Sequence, residues 1–120
     1  MNYVLVERAA DGQLSIVGAN RLSLGDTRSS EALRAFQSAV QAVFNDMAPD
    51  LVAIKEKPER GAMQAGAAAL KMEGIVLASA PCPAKFVSGA RINKCANTAS
   101  SLNAYHQPAF KAAASALADQ

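Results

Sequence analysis

Four consecutive apolar residues, Leu51, Val52, Ala53 and Ile54, stand between Pro49-Asp50 and the charged triplet Lys55-Glu56-Lys57. A strand with one wet face alternates apolar and polar side chains. One that does not alternate is covered on both faces, and such strands are typically parallel and central. A central parallel strand needs crossover helices packed over the sheet, so this run sets the expectation of an α/β fold. The composition suits it: hydrophobic residues make up 51% of the chain, largely alanine, with no Trp, four Phe and two Tyr. That calls for an aliphatic core and closely approaching helices. A chain of 120 residues has the length of one domain, here residues 1–120, and buries roughly two-thirds of its unfolded surface. Folding then requires no metal, cofactor or disulfide.

The flanking segments extend this expectation. Residues 3–7 read as a strand, Asp11-Gly12 as a hairpin turn, and residues 13–17 as its partner. A second turn at residues 18–20 leads into residues 21–24, where Leu22 and Leu24 flank Ser23 in period two. Residues 31–47 are helical, with Leu33, Phe36, Val40 and Met47 on one stripe, and Pro49 stops them. After the apolar strand, residues 62–73 read as a second helix stopped by Gly74, and residues 75–78 as a buried strand. Residues 84–94 read as a helix, residues 95–103 as a loop, and residues 108–118 as a last helix with Pro at its first turn. Three antiparallel strands followed by alternating helices and parallel strands predict a mixed five-stranded sheet with helices on both faces.

Twelve basic and ten acidic residues give a net charge of +2, too balanced for the total to imply a polyanionic partner. The distribution is less even: beyond Glu73 the sole acid is Asp119, against Lys85, Arg91, Lys94 and Lys111. Cys82 and Cys95 share no metal spacing with each other or with His106 and are expected as reduced thiols. The first eight residues already carry Glu7 and Arg8, unlike a signal peptide, and no apolar run approaches the roughly 20 residues of a membrane span. A cytoplasmic protein without membrane attachment is the expectation.

The stretch PDLVAIKEKPERGAMQAGAAALKMEGIVLAS, residues 49–79, joins a buried strand, an acid near its end, a helix of small residues and a glycine. In this, and in element order, the chain resembles the RuvC-like branch of the ribonuclease H-like superfamily. With the hairpin start at Glu7 and the tail YHQPAFKAAASALA it is similar to a small bacterial family of uncharacterised RuvC-like proteins. Active members of the superfamily hold two magnesium or manganese ions about 4 Å apart, which clamp the attacking water and the leaving oxygen of a phosphodiester. Such hard ions need three or four carboxylates.

The resemblance puts Glu7 at the first-strand position, where active nucleases usually carry Asp, and Glu56 at the fourth-strand position, as candidate metal ligands and catalytic residues. It puts His106 at the final helix. There the pattern thins, because the acid expected one turn later is replaced by Ala109 or Phe110, Gln107 offers only a neutral oxygen, and Asp119 is expected to fray at the chain's end. Taken by itself, Glu7 reads as an ordinary charged strand end, and His106 as a surface residue at a helix entry. Lys55 and Lys57 either neutralise Glu56 or, with Arg60, contact phosphates. Lys85, Arg91 and Lys94 do not share one clean helix face.

The resulting expectation is a RuvC-like domain that is degenerate or non-catalytic, with a nucleic-acid-associated binding role. One alternative is a magnesium-dependent nuclease on DNA or RNA using Glu7, Glu56 and either His106 or Asp119. Another is an interaction module whose alanine-rich last helix forms a homo-oligomer.

Overall fold

A computed structural model describes residues 1–61 and 66–120. It divides into two compact units, each assembled from several stretches of chain.

The first unit comprises Met1, residues 22–52 and residues 57–84. Helix α1, Ser30–Met47, starts at Ser29, whose hydroxyl accepts from the Ala32 N–H at 3.2 Å, satisfying one of the four donors left open at a helix start. It ends on Ala48 in the left-handed conformation, φ 44. Helix α2, Ala67–Ser79, follows Gly66 and packs on α1. Phe36 and Val40 on α1 and Val76 on α2 are buried. The Lys71 ammonium reaches back to the Thr27 carbonyl and ties α2 to the segment leading into α1.

The second unit comprises residues 2–21, 53–56 and 85–120. Strand β1, Asn2–Arg8, pairs antiparallel with β2, Leu14–Arg21, around the turn at Gly12, whose φ of 87 suits glycine. Leu5 lies opposite Gly18 and Val6 opposite Ile16, so Val17 is the extra residue of a bulge. Helix α3, Gly89–Lys94, is capped by Ser88, and helix α4, Gln107–Ala118, enters through a short 3₁₀ turn at Ala104–His106. Helix α4 packs against both β1 and α3. Phe110, Ala112, Ala114, Ser115 and Ala116 are all buried, and their spacing covers more than one face, so α4 is wrapped rather than half-exposed.

Strand β3, Val52–Lys55, pairs with β4, Ala84–Val87. The Val52 N–H donates to the Pro83 carbonyl at 3.0 Å and the Glu56 N–H to the Val87 carbonyl at 2.8 Å. Both strands advance by four residues between these bonds, which is parallel pairing. The apolar run is therefore a parallel strand, with α2 lying between the two strands in sequence.

The expected five-stranded sheet is corrected on four points. The described residues form two separate two-stranded ladders, β1–β2 and β3–β4. Residues 21–24 are not a third strand: β2 runs straight through the glycine at 18, the bulge at Val17 absorbs what reads as a turn, and the Leu22 N–H donates to the Met1 carbonyl. Residues 75–78 are the last turns of α2, since Gly74 does not take the left-handed conformation of a helix stop. Residues 84–87, expected as helix, are the strand instead. Pro81 and Pro83 hold the approach extended, and Ser88 delays the helix to Gly89. Residues 62–65, expected to begin the second helix, lie outside the described residues. Among the described residues no helix is long and apolar enough to cross a membrane.

Candidate functional site

Glu7 lies in the last turn of pairing on β1, opposite Ser15, with its side chain exposed. Glu56 follows β3, where its N–H closes the ladder to Val87, and its side chain is likewise exposed. Both belong to the second unit. Among the described residues neither carboxylate makes a hydrogen bond or an ion pair.

The three cations proposed for phosphate do not come from one unit. Lys55 is exposed and belongs with Glu56, whereas Lys57 and Arg60 belong to the first unit. Lys57 has its ammonium 3.5 Å from Glu73, whose side chain is only 10% exposed. A carboxylate that far from water needs a cation or donors beside it. The salt bridge anticipated for Glu56 is thus made to Glu73, on α2.

His106 ends the 3₁₀ turn with 7% of its surface exposed, and its Nε2 lies 3.0 Å from the Asn20 carbonyl on β2. It is not the exposed helix-entry residue expected from the sequence. A carbonyl only accepts, so Nε2 carries the proton and Nδ1 is the nitrogen left for any ligand. This is the orientation that carbonyl-anchored metal histidines adopt, but Gln107, the neutral oxygen beside it in sequence, is engaged elsewhere, as is Asp119, the alternative to His106.

Asp119 is not frayed. The Arg91 guanidinium holds it in a fork, with Nη1 to Oδ2 at 2.8 Å and Nη2 to Oδ1 at 3.2 Å, while Nη2 also donates to the Ser115 carbonyl at 2.9 Å. Arg8, beside Glu7, donates to the Leu117 carbonyl. Helix α4 has no basic residue in its own last turn, so two arginines from α3 and β1 supply the positive charge that its C-terminal carbonyls attract. Gln107 ties down the preceding loop, donating from Nε2 to the Ala99 carbonyl at 2.6 Å and accepting at Oε1 from the Ala99 N–H at 3.3 Å. Neither arginine role had a local signature, because Arg8 and Leu117 lie 109 residues apart and Arg91 and Asp119 lie 28 apart.

The donor set does not fit two metals. Among the described residues no group of three or more His, Cys, Asp or Glu is placed to hold an ion, and a two-metal clamp takes three or four carboxylates. Cys82 and Cys95 are both free and partly buried, and burial, helped by the charge of Asp50, pushes the Cys82 thiol above its ordinary value. Of the alanines of α4 that suggested an oligomer, Ala112, Ala114 and Ala116 are buried within this chain, whereas Ala113 is partly exposed and Ala118 exposed.

Comparison with known proteins bears on the fold. The sequence model of a family described as "Protein of unknown function (DUF3010)" matches residues 3–116. No curated protein sequence matches the chain. Among solved structures it is similar to T. thermophilus RuvC in complex with Holliday junction substrate, at 13% identity and a TM-score of 0.66, covering 96% of this chain and 91% of that one. At such identity the likeness concerns the fold, which is RuvC-like, as the sequence resemblance implied.

Proposed function

The chain belongs to the DUF3010 family of proteins of unknown function, and from that premise we propose that it is a non-catalytic RuvC-like domain with a nucleic-acid-associated binding role. The observation that carries the first half of this reading is the Arg91–Asp119 fork. The last acid available to complete a metal site neutralises an arginine instead, and Gln107 is committed to a loop. What is left beside β1's far end is Glu7, with Glu56 in the same unit, while His106 sits on Asn20, opposite Tyr3 at the start of β1; two carboxylates lack the charge to hold two divalent ions against their hydration.

The binding half is supported by charge. The second unit carries Arg8, Arg21, Lys55, Lys85, Arg91, Lys94 and Lys111 against Glu7, Asp11, Glu56 and Asp119, a net of +3, so the excess of the whole chain is concentrated there. Lys85 and Lys94 are exposed. The structurally similar RuvC is seen with a Holliday junction, and a unit of positive net charge on the same fold suits a phosphate backbone.

Fluorescence anisotropy with branched, duplex and single-stranded DNA, and with RNA, tests this. Binding should weaken steeply with salt, because phosphate contacts release counterions, and the double variant Lys85→Glu, Lys94→Glu should bind more weakly still. Absent or salt-insensitive binding would overturn the proposal.

A second reading, a weak magnesium-dependent nuclease, is favoured by Glu7 and Glu56 lying exposed in one unit, with no ion pair among the described residues. It expects Mn²⁺ to titrate onto the protein and cleavage to vanish in Glu56→Gln. Cleavage that survives that substitution would discard it.

A further inference from the structure

At the start of β1 and the end of β2, an open cleft of about 620 Å³ is lined by Asn2, Ala19, Asn20, Arg21, Asn103, Tyr105 and His106, all within the second unit. Its size falls within the range of small-molecule sites. Asn2 stands five residues along β1 from Glu7, roughly 17 Å in an extended strand, so this cleft is separate from the acidic end. We propose that it binds a planar, hydrogen-bonding ring carrying an anionic group, the chemistry of a nucleoside monophosphate, and this goes beyond the polynucleotide reading above.

Four observations assemble the site. Tyr105 is 57% exposed, the most exposed large apolar side chain among the described residues, yet it is held in place. Its hydroxyl accepts from Asn103 Nδ2 at 2.8 Å, and its ring lies 4.6 Å from the His106 ring. His106 is in turn anchored on the Asn20 carbonyl. An exposed aromatic ring ordered before a ligand arrives is a stacking platform whose ordering cost is already met.

Among the described residues Arg21 is the sole charged one lining the cleft. Its side chain makes no ion pair or hydrogen bond among the described residues, and no carboxylate opposes it. A guanidinium in that state suits a phosphate, which it can engage through two donors. Asn2 provides the third element, since its side-chain oxygen is buried with no hydrogen-bond partner. An orphaned acceptor is costly, and a donor on a ring edge that reached Asn2 would relieve that cost. Asn20 and Asn103 add amides around the same opening, the side-chain type that pairs with the edges of bases.

The test uses the full chain and reads tyrosine fluorescence and calorimetric heat, with the four nucleoside monophosphates, adenosine alone and inorganic phosphate alone as probes. At least one monophosphate should bind saturably, and the corresponding nucleoside and phosphate should each bind about tenfold or more weakly. Arg21→Ala and Tyr105→Ala should each cost about tenfold, while Tyr105→Phe keeps most of the affinity because the ring remains. Both side chains are exposed, and circular dichroism checks that each variant is folded. No saturable binding of any monophosphate, binding of phosphate alone at equal strength, or full affinity in Arg21→Ala would overturn the proposal. A 5′-phosphorylated oligonucleotide that competes with the monophosphate would identify a strand end as the source, and one that does not would identify the free nucleotide. Loss of salt-dependent binding to duplex or branched DNA would sink the earlier reading and leave this one standing.

Discussion

Arg91 does more than its charge suggests. It grips Asp119 through two bonds and the Ser115 carbonyl through a third, so one side chain closes α3 onto the end of α4. The pair is nearly half exposed and water weakens it, but the carbonyl bond adds to it. Arg91→Ala should therefore lower stability by about 1–2 kcal/mol in urea denaturation. Arg91→Lys should recover less than half of that, because an ammonium cannot fork; full recovery would show that charge alone matters. Cys82 offers a second test at this scale. Burial first, and Asp50 second, make its thiolate unfavourable, so the folded chain holds the thiol proton more tightly than the unfolded one. Its contribution is complete below the unfolded thiol's value, about 8.5, and falls away as pH rises beyond it toward the folded value. Cys82→Ala should flatten that alkaline fall relative to the native chain, and iodoacetamide at pH 8 should label Cys82 more slowly than a cysteine in a short peptide. Equal labelling rates would refute the buried-thiol account.

Helix α2 shows how an element escapes its own sequence signals. Gly74 followed by Ile75, Val76, Leu77 and Ala78 reads as a helix stop and a strand, yet all five residues are helical. A four-residue apolar run fits a buried helix as well as a strand, and packing on α1 decides between them. Gly74 is exposed, and a Cβ built on it would meet nothing within 4 Å. Gly74→Ala should accordingly raise stability by about 0.5–1 kcal/mol in thermal or chemical denaturation; a loss would mean that the residue is not mid-helix. Helix α4 predicts the reverse sensitivity. Ala112 and Ala116 are each 1% exposed, so Ala112→Leu should cost about 1–3 kcal/mol through overpacking. A neutral outcome would restore the alanine face to a partner.

For the whole molecule, charge is more telling by unit than in total. A chain of net charge +2 gives little reason to expect a polyanion, but a unit of net +3 gives more. If Lys85 and Lys94 each neutralise one phosphate, reversing both should make the slope of log affinity against log salt shallower by about two. An unchanged slope would place the contact elsewhere. The chain belongs to the DUF3010 family and its fold is RuvC-like.

By itself, the sequence determined the α/β class, the parallel character of Leu51–Ile54, the hairpin at Asp11-Gly12, the first and last helices, and the acids worth weighing. Each follows from short-range patterning or from turn and cap chemistry, which act within a few residues. Tertiary structure alone decided that residues 75–78 are helix and residues 84–87 strand, because short apolar runs look alike until something packs on them. It also decided that Glu73 takes Lys57, that Asp119 takes Arg91, and that His106 is buried on the Asn20 carbonyl. Those pairings join residues 16, 28 and 86 positions apart. No local pattern encodes them, since each depends on which surfaces the packed elements bring together.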